Sequence, residues 1–137
     1  MKELRVDAVP ESLQQLKSFV DAELTEAGCP VETRRQMDIA VDEVFGNIAR
    51  YAYEGTTGSA VLRIETQRTP QAVVLTFLDS GIPFDPLQTE APDTTLKARE
   101  RKIGGLGIFV VKKLMDEAHY EYADGMNVLR LKKRIPE

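Results

Sequence analysis

Apolar residues alternate with polar ones at Leu4, Val6 and Ala8 until Pro10 interrupts them, a period-two pattern that predicts a short edge strand. From Leu13 to Ala27 the spacing changes. Leu13, Leu16, Phe19, Val20, Leu24 and Ala27 recur at three and four, predicting a helix with one buried stripe, capped by Ser12 and ended by Gly28. A longer helix is predicted after Pro30, with Glu32 at its positive end and Met37, Ala40, Val41, Val44, Ile48 and Ala52 along one broad face. It ends at Gly55 and the turn-rich Thr56-Thr57-Gly58-Ser59. Two strands follow, Ala60 to Gln67 and Ala72 to Leu78, joined by a polar turn at Thr69 and Pro70. Beyond Pro86, residues Leu87 to Lys102 are polar and too long for an ordinary tight connection, which fits a mobile lid over 86–103. A helix from Ile108 to about Glu117 and a closing hairpin, His119 to Ala123 and Met126 to Lys133 around Asp124-Gly125, complete the pattern.

Strand, helix, helix, hairpin, lid, helix, hairpin is the order of an α+β protein with helices on one face of a mixed, largely antiparallel sheet, not of a βαβ-wound parallel one. At 137 residues and 42% hydrophobic composition the chain fits one domain, 1–137, burying roughly two-thirds of its unfolded surface. Its net charge of -4 provides no general electrostatic reason to bind nucleic acid or an anionic membrane, so an anion site must be local. The lone cysteine, Cys29, cannot form an internal disulfide, and no N-terminal segment resembles a signal peptide or membrane span, so a cytoplasmic protein is expected. Cys29 reads as a small filler at a helix end, because its only histidine partner would be the distant His119.

Three glycines in the four residues Gly104-Gly105-Leu106-Gly107 precede the apolar run from Ile108 to Met115. Glycine brings backbone N–H groups within reach of an anion, and the start of a helix adds its free N–H groups and the positive end of its dipole. On their own such glycines more often just end a loop tightly. Glu43 and Asn47, four apart, share a helix face. An amide oxygen such as Asn47's suits Mg²⁺, and Glu43 suits a general base beside a terminal phosphate, although a lone pair at this spacing more often marks a solvated face. Asp79-Ser80-Gly81 comes directly off an apolar strand; a carboxylate there accepts from the exocyclic amine of adenine, and Gly81 leaves room for a flat base. Taken alone, a polar turn fits those residues equally well.

Together and in this order, E-V-F-G-N, D-S-G-I-P-F and G-G-L-G-I resemble the N, G1 and G2 boxes of the GHKL ATPases, named for gyrase, a heat-shock chaperone, histidine kinases and MutL. The similarity is greatest to the anti-sigma factor serine/threonine kinases and covers nearly the whole chain, including G-G-L-G-I-F-V-V-K-K-L-M-D and the ending G-M-N-V-L-R-L-K-K-R. It implies the Bergerat fold, a two-layer α/β sandwich, and the use of ATP and Mg²⁺. It further implies Glu43 as catalytic base, Asn47 as Mg²⁺ ligand, Asp79 as adenine reader with Gly81 beside it, and Gly104, Gly105, Leu106 and Gly107 as the phosphate-side loop. Tyr51 stands where these kinases usually carry histidine, and Asn127 where a threonine often approaches the adenine; Asn127 retains the capacity to hydrogen-bond there. Arg99, Arg101 and Lys102 of the lid are candidates to neutralise phosphate charge, though each also fits a solvated surface.

A sensor histidine kinase needs a phosphoacceptor histidine on a helix ahead of this domain, and the only histidine, His119, falls in a strand. Gyrase- and MutL-like machines need a following transducer domain, whereas this chain is expected to stand alone. The resemblance therefore implies a homodimeric protein kinase that phosphorylates a STAS-domain anti-anti-sigma antagonist and regulates a sigma factor or similar target by partner switching. A nucleotide-gated binding regulator with little or no kinase activity is the alternative, and Glu43 is the residue it need not keep. A structural domain without nucleotide would show no ATP-dependent change in stability.

Overall fold

The computed structural model describes residues 1–68, 71–88 and 105–136. The turn at Thr69 and Pro70, the lid from residue 89 onward with Arg99, Arg101 and Lys102, and Gly104 lie outside the described residues. Within them the order is β1 (Lys2–Asp7), α1 (Leu13–Glu26), α2 (Val31–Asn47), β2 (Ser59–Arg68), β3 (Gln71–Asp79), α3 (Gly105–Leu114), β4 (Glu117–Ala123) and β5 (Met126–Arg134). No described helix is long and apolar enough to cross a membrane.

Helix α1 buries Leu16, Val20 and Leu24, one residue per turn on a single stripe. Ser12 does not cap it. Its backbone is already helical, at the end of a 3₁₀ turn over Pro10–Ser12, so its hydroxyl makes no bond to the first amides of α1. The C-terminus closes with Gly28 at φ +76°, where Gly28 N–H donates to Thr25 O and Cys29 N–H to Leu24 O, both at 3.0 Å. That is a Schellman motif, and Cys29 and Leu24 are both buried beside it, as its hydrophobic contact requires. Burial pushes the Cys29 thiol above its ordinary range, only partly opposed by Arg34, so the side chain is a neutral filler.

Helix α2 buries Met37, Ala40, Val41, Val44 and Phe45 and then widens into one turn of π-helix, Ile48–Ala52. All four strand pairings are antiparallel, in the order β1-β2-β3-β5-β4, so β1 is an edge strand as its Pro10 boundary predicts. Side chains alternate faces along a strand. Ala60, Leu62, Ile64, Val73, Leu75, Phe77, Leu129 and Leu131 join the helices in the core, and their neighbours Val61, Val74 and Leu78 lie on the opposite face. The β4–β5 hairpin turns through Asp124 (φ 54°) and Gly125 (φ 75°), the paired positive angles of a type I′ turn.

Helix α3 differs from its expected span. It begins at Gly105, not Ile108, and ends at Leu114, because Asp116 N–H already bonds Lys132 O at 2.9 Å and Glu117 pairs with Lys132 in the sheet. Gly105, Leu106 and Gly107, expected as loop, are its first turn. Glycine is tolerated there because those amides have no partner within the helix.

Candidate functional site

Strand parity delivers the first two site residues. Asp79 shares its face with Val73, Leu75 and Phe77, and Asn127 with Leu129 and Leu131, so both point to the helix side at one end of the sheet, where they are paired directly across β3 and β5. Both are buried, at 6% and 7% exposure. The end of α2 lies over them, and a cavity of about 200 Å³ opens between the layers. Asn47, Tyr51, Glu54, Asp79, Tyr120 and Asn127 contribute its polar groups, and Val44, Ile48, Phe77, Ile108 and Leu129 are among its apolar lining.

Asn47 Oδ1 is buried and has no hydrogen-bond partner among the described residues. An orphaned buried acceptor costs about 1–3 kcal/mol, so an oxygen held this way is suited to a ligand. A hard oxygen donor is what Mg²⁺ takes, and the residue present fits that ion.

Gly81 is required by a close approach. A Cβ there would lie 2.2 Å from Ala52 O, the carbonyl that accepts Ile82 N–H at 2.8 Å. The same end of α2 is fastened by Tyr53, whose hydroxyl donates to Ser59 O at 2.6 Å and accepts Ser80 N–H at 2.8 Å. The π turn therefore positions the Asp79-Ser80-Gly81 turn directly, a use of π-helix common at functional sites.

Glu43 is not among the residues lining the cavity. Its carboxylate lies beside it, against the first turn of α3: a Cβ on Gly107 would fall 1.7 Å from Glu43 Oε2. Glu43, Asn47, Asp79, Gly81 and Gly107 are thus brought to one region, while Gly104, Arg101 and Lys102 fall outside the described residues. His119 is exposed on edge strand β4. Tyr120 and Tyr53 escape the sequence reading, and Phe84, the last residue of D-S-G-I-P-F, is given no role in it. Tyr120 carried a signal in the alternation of β4, but its partner depends on a cross-strand register that no local pattern encodes. Burial raises its phenol pKa, against the lowering effect of the Phe84 backbone bond, and keeps it a proton donor.

A two-layer sandwich of helices on an antiparallel sheet, with a helix-borne amide oxygen, a strand-end aspartate and a glycine-led helix facing one cavity, defines a nucleotide-binding ATPase domain of the Bergerat type. The profile of the histidine kinase-like ATPase domain matches residues 6–133, and the chain belongs to that family. It is similar to the serine-protein kinase RsbW of Listeria monocytogenes serovar 1/2a (27% identity over 134 residues, covering 94% of this chain and 84% of that one). It is also similar to RsbW of Staphylococcus aureus strain MSSA476 (24% over 130 residues, covering 92% and 82%). Among solved structures it matches that of the RsbU and RsbW domains of Rv1364c from Mycobacterium tuberculosis, with a TM-score of 0.64 at 14% identity. The match covers 98% of this chain and spans about a third, 33%, of the other, and it shows the fold.

Proposed function

We propose that the protein is an ATP- and Mg²⁺-dependent serine/threonine kinase of the anti-sigma factor type, whose substrate is a STAS-domain antagonist. The observation that carries this reading is that the unpartnered Asn47 oxygen and Asp79 line one cavity, with Glu43 on the same helix as Asn47 and set against the first turn of α3. Asp79 takes the exocyclic amine of adenine, with Gly81 beside it. Asn47 holds Mg²⁺, which when bound neutralises phosphate charge. The first turn of α3, with Gly104 ahead of Gly105, Leu106 and Gly107 in sequence, supplies amides to the phosphates, and the charges of Arg101 and Lys102, outside the described residues, are assigned to neutralising them. Glu43 accepts the proton of the partner's hydroxyl as that oxygen attacks the terminal phosphorus and ADP leaves. The names of the similar serine-protein kinases support the phosphoryl-transfer chemistry. The protein acts in the cytoplasm as a homodimer, and the phosphorylation state of the antagonist determines whether a sigma factor or similar target is held.

Tyr51 supports a second reading. It lines the cavity where related kinases usually carry histidine, which favours a nucleotide-gated binding regulator with weak transfer. Incubation with ATP, Mg²⁺ and the cognate STAS partner separates the two. Phosphoserine or phosphothreonine found by mass spectrometry with wild type and lost in Glu43→Ala supports the kinase; its absence in wild type, with ATP still bound, supports the regulator.

A further inference from the structure

The resemblance makes Asn127 a nucleotide ligand, yet each polar position of its side chain is already engaged within the protein. Nδ2 donates to Asp79 Oδ1 and to Ile82 O, each at 3.0 Å, with Gly81 O more distant at 3.5 Å. Oδ1 accepts Phe84 N–H at 3.0 Å and the Tyr120 hydroxyl. A carboxamide has two donor hydrogens and two acceptor lone pairs, so this one is saturated. Its orientation is also fixed. Turned over, it would set its oxygen against two acceptors, the Asp79 carboxylate and Ile82 O, and its NH₂ group against the Phe84 N–H donor.

The consequence falls on Asp79. Its Oδ1 receives both Asn127 Nδ2 and Gly81 N–H, the latter at 2.9 Å, and these are the bonds its side chain accepts from the described residues. Oδ2 is left for a ligand. We infer that Asn127 is a positioning residue and not a nucleotide ligand: locked by Tyr120 and Phe84, it reserves one oxygen of Asp79 for a purine 6-amino group and so sets the preference for adenine over 6-oxopurines. A 6-oxo group would bring an acceptor against that carboxylate. Through Ile82 O and Phe84 N–H the side chain of Asn127 is itself held by the turn at residues 81–84.

The inference rests on the proposed nucleotide site, and calorimetry distinguishes the two. Mg²⁺ complexes of ATP, inosine triphosphate and purine riboside triphosphate, which lacks any 6-substituent, are titrated into wild type, Asn127→Ala, Tyr120→Phe and Asp79→Ala. Asn127→Ala is expected to weaken ATP about ten-fold, the scale of a hydrogen bond to a charged group, and Tyr120→Phe about three-fold. Neither is expected to alter the affinity for purine riboside triphosphate, and neither is expected to weaken ATP further in an Asp79→Ala background. Equal losses for all three nucleotides, or an undiminished Asn127→Ala effect without Asp79, would make Asn127 a direct ligand or a merely structural residue and overturn the inference. Tyr120→Phe removes one hydroxyl and leaves the Phe84 bond, so it keeps the test open should Asn127→Ala fail to fold. Wild type that binds none of the three contradicts the nucleotide site itself.

Discussion

Two glycines of the site face opposite consequences from one added methyl group. At Gly81 the obstacle is backbone, Ala52 O at 2.2 Å, which cannot yield without moving the end of α2. Gly81→Ala is expected to lower stability by about 1–3 kcal/mol, the range for overpacking, read from urea denaturation. At Gly107 the obstacle is the far end of a side chain, Glu43 Oε2 at 1.7 Å, which rotates away. Alanine is also the better helix former, so Gly107→Ala is expected to fold as well as wild type. Its phosphoryl transfer is expected to fall by a factor on the order of 100 or more, the contribution of a positioned base, in an assay with the STAS partner. Normal transfer by a folded Gly107→Ala protein would show that the carboxylate is not needed where it lies.

The α2–π turn–Tyr53 segment is the element on which the site's geometry depends. Through Ala52 O and the Tyr53 hydroxyl it holds the Asp79-Ser80-Gly81 turn and the start of β2 together, and Gly58 leaves space for the Tyr53 ring, which a Cβ there would meet at 2.2 Å. Tyr53→Phe retains the ring and removes both bonds of the hydroxyl. Because Ser80 N–H is exposed and water can replace one of them, a loss of about 1 kcal/mol is expected. Amide exchange should rise at Ser80 and Gly81 and remain unchanged in α1; uniform acceleration throughout the chain would mean that Tyr53 acts as ordinary core packing. Most elements were legible because their periods are regular: α1, the β2–β3 pair and the β4–β5 hairpin follow directly from apolar spacing and from Asp124-Gly125. The π turn was not, since Val44, Ile48 and Ala52 keep a helical spacing through it. The start of α3 was hidden by glycines that report loop propensity while occupying a first turn. The meeting of Asp79 and Asn47 at one cavity was legible from motif order, whereas the bond from Asn127 to Asp79 was not, because it spans 48 residues of sequence.

At the scale of the molecule, the cavity wall is drawn from α2, the π turn, β3, α3 and β5, segments far apart in sequence that meet only when the sheet and helices are assembled. A ligand that binds there binds the folded chain alone, so its free energy adds to global stability and not to one loop. At ATP one hundred times above Kd, with Mg²⁺, the gain is about 2.7 kcal/mol. For a chain of this size that is a rise in Tm of roughly 5–15 °C. Removing Mg²⁺ with a chelator is expected to reduce the shift, because Asn47 Oδ1 then loses the partner proposed for it. Asp79→Asn is expected to reduce it too, since an amide turned toward the purine opposes one donor with another. Calorimetric scans with and without MgATP measure all three. The groups converging on this cavity leave an unpartnered oxygen and a carboxylate oxygen to be satisfied by something, and a flat response to saturating MgATP would mean that the something is not a nucleotide.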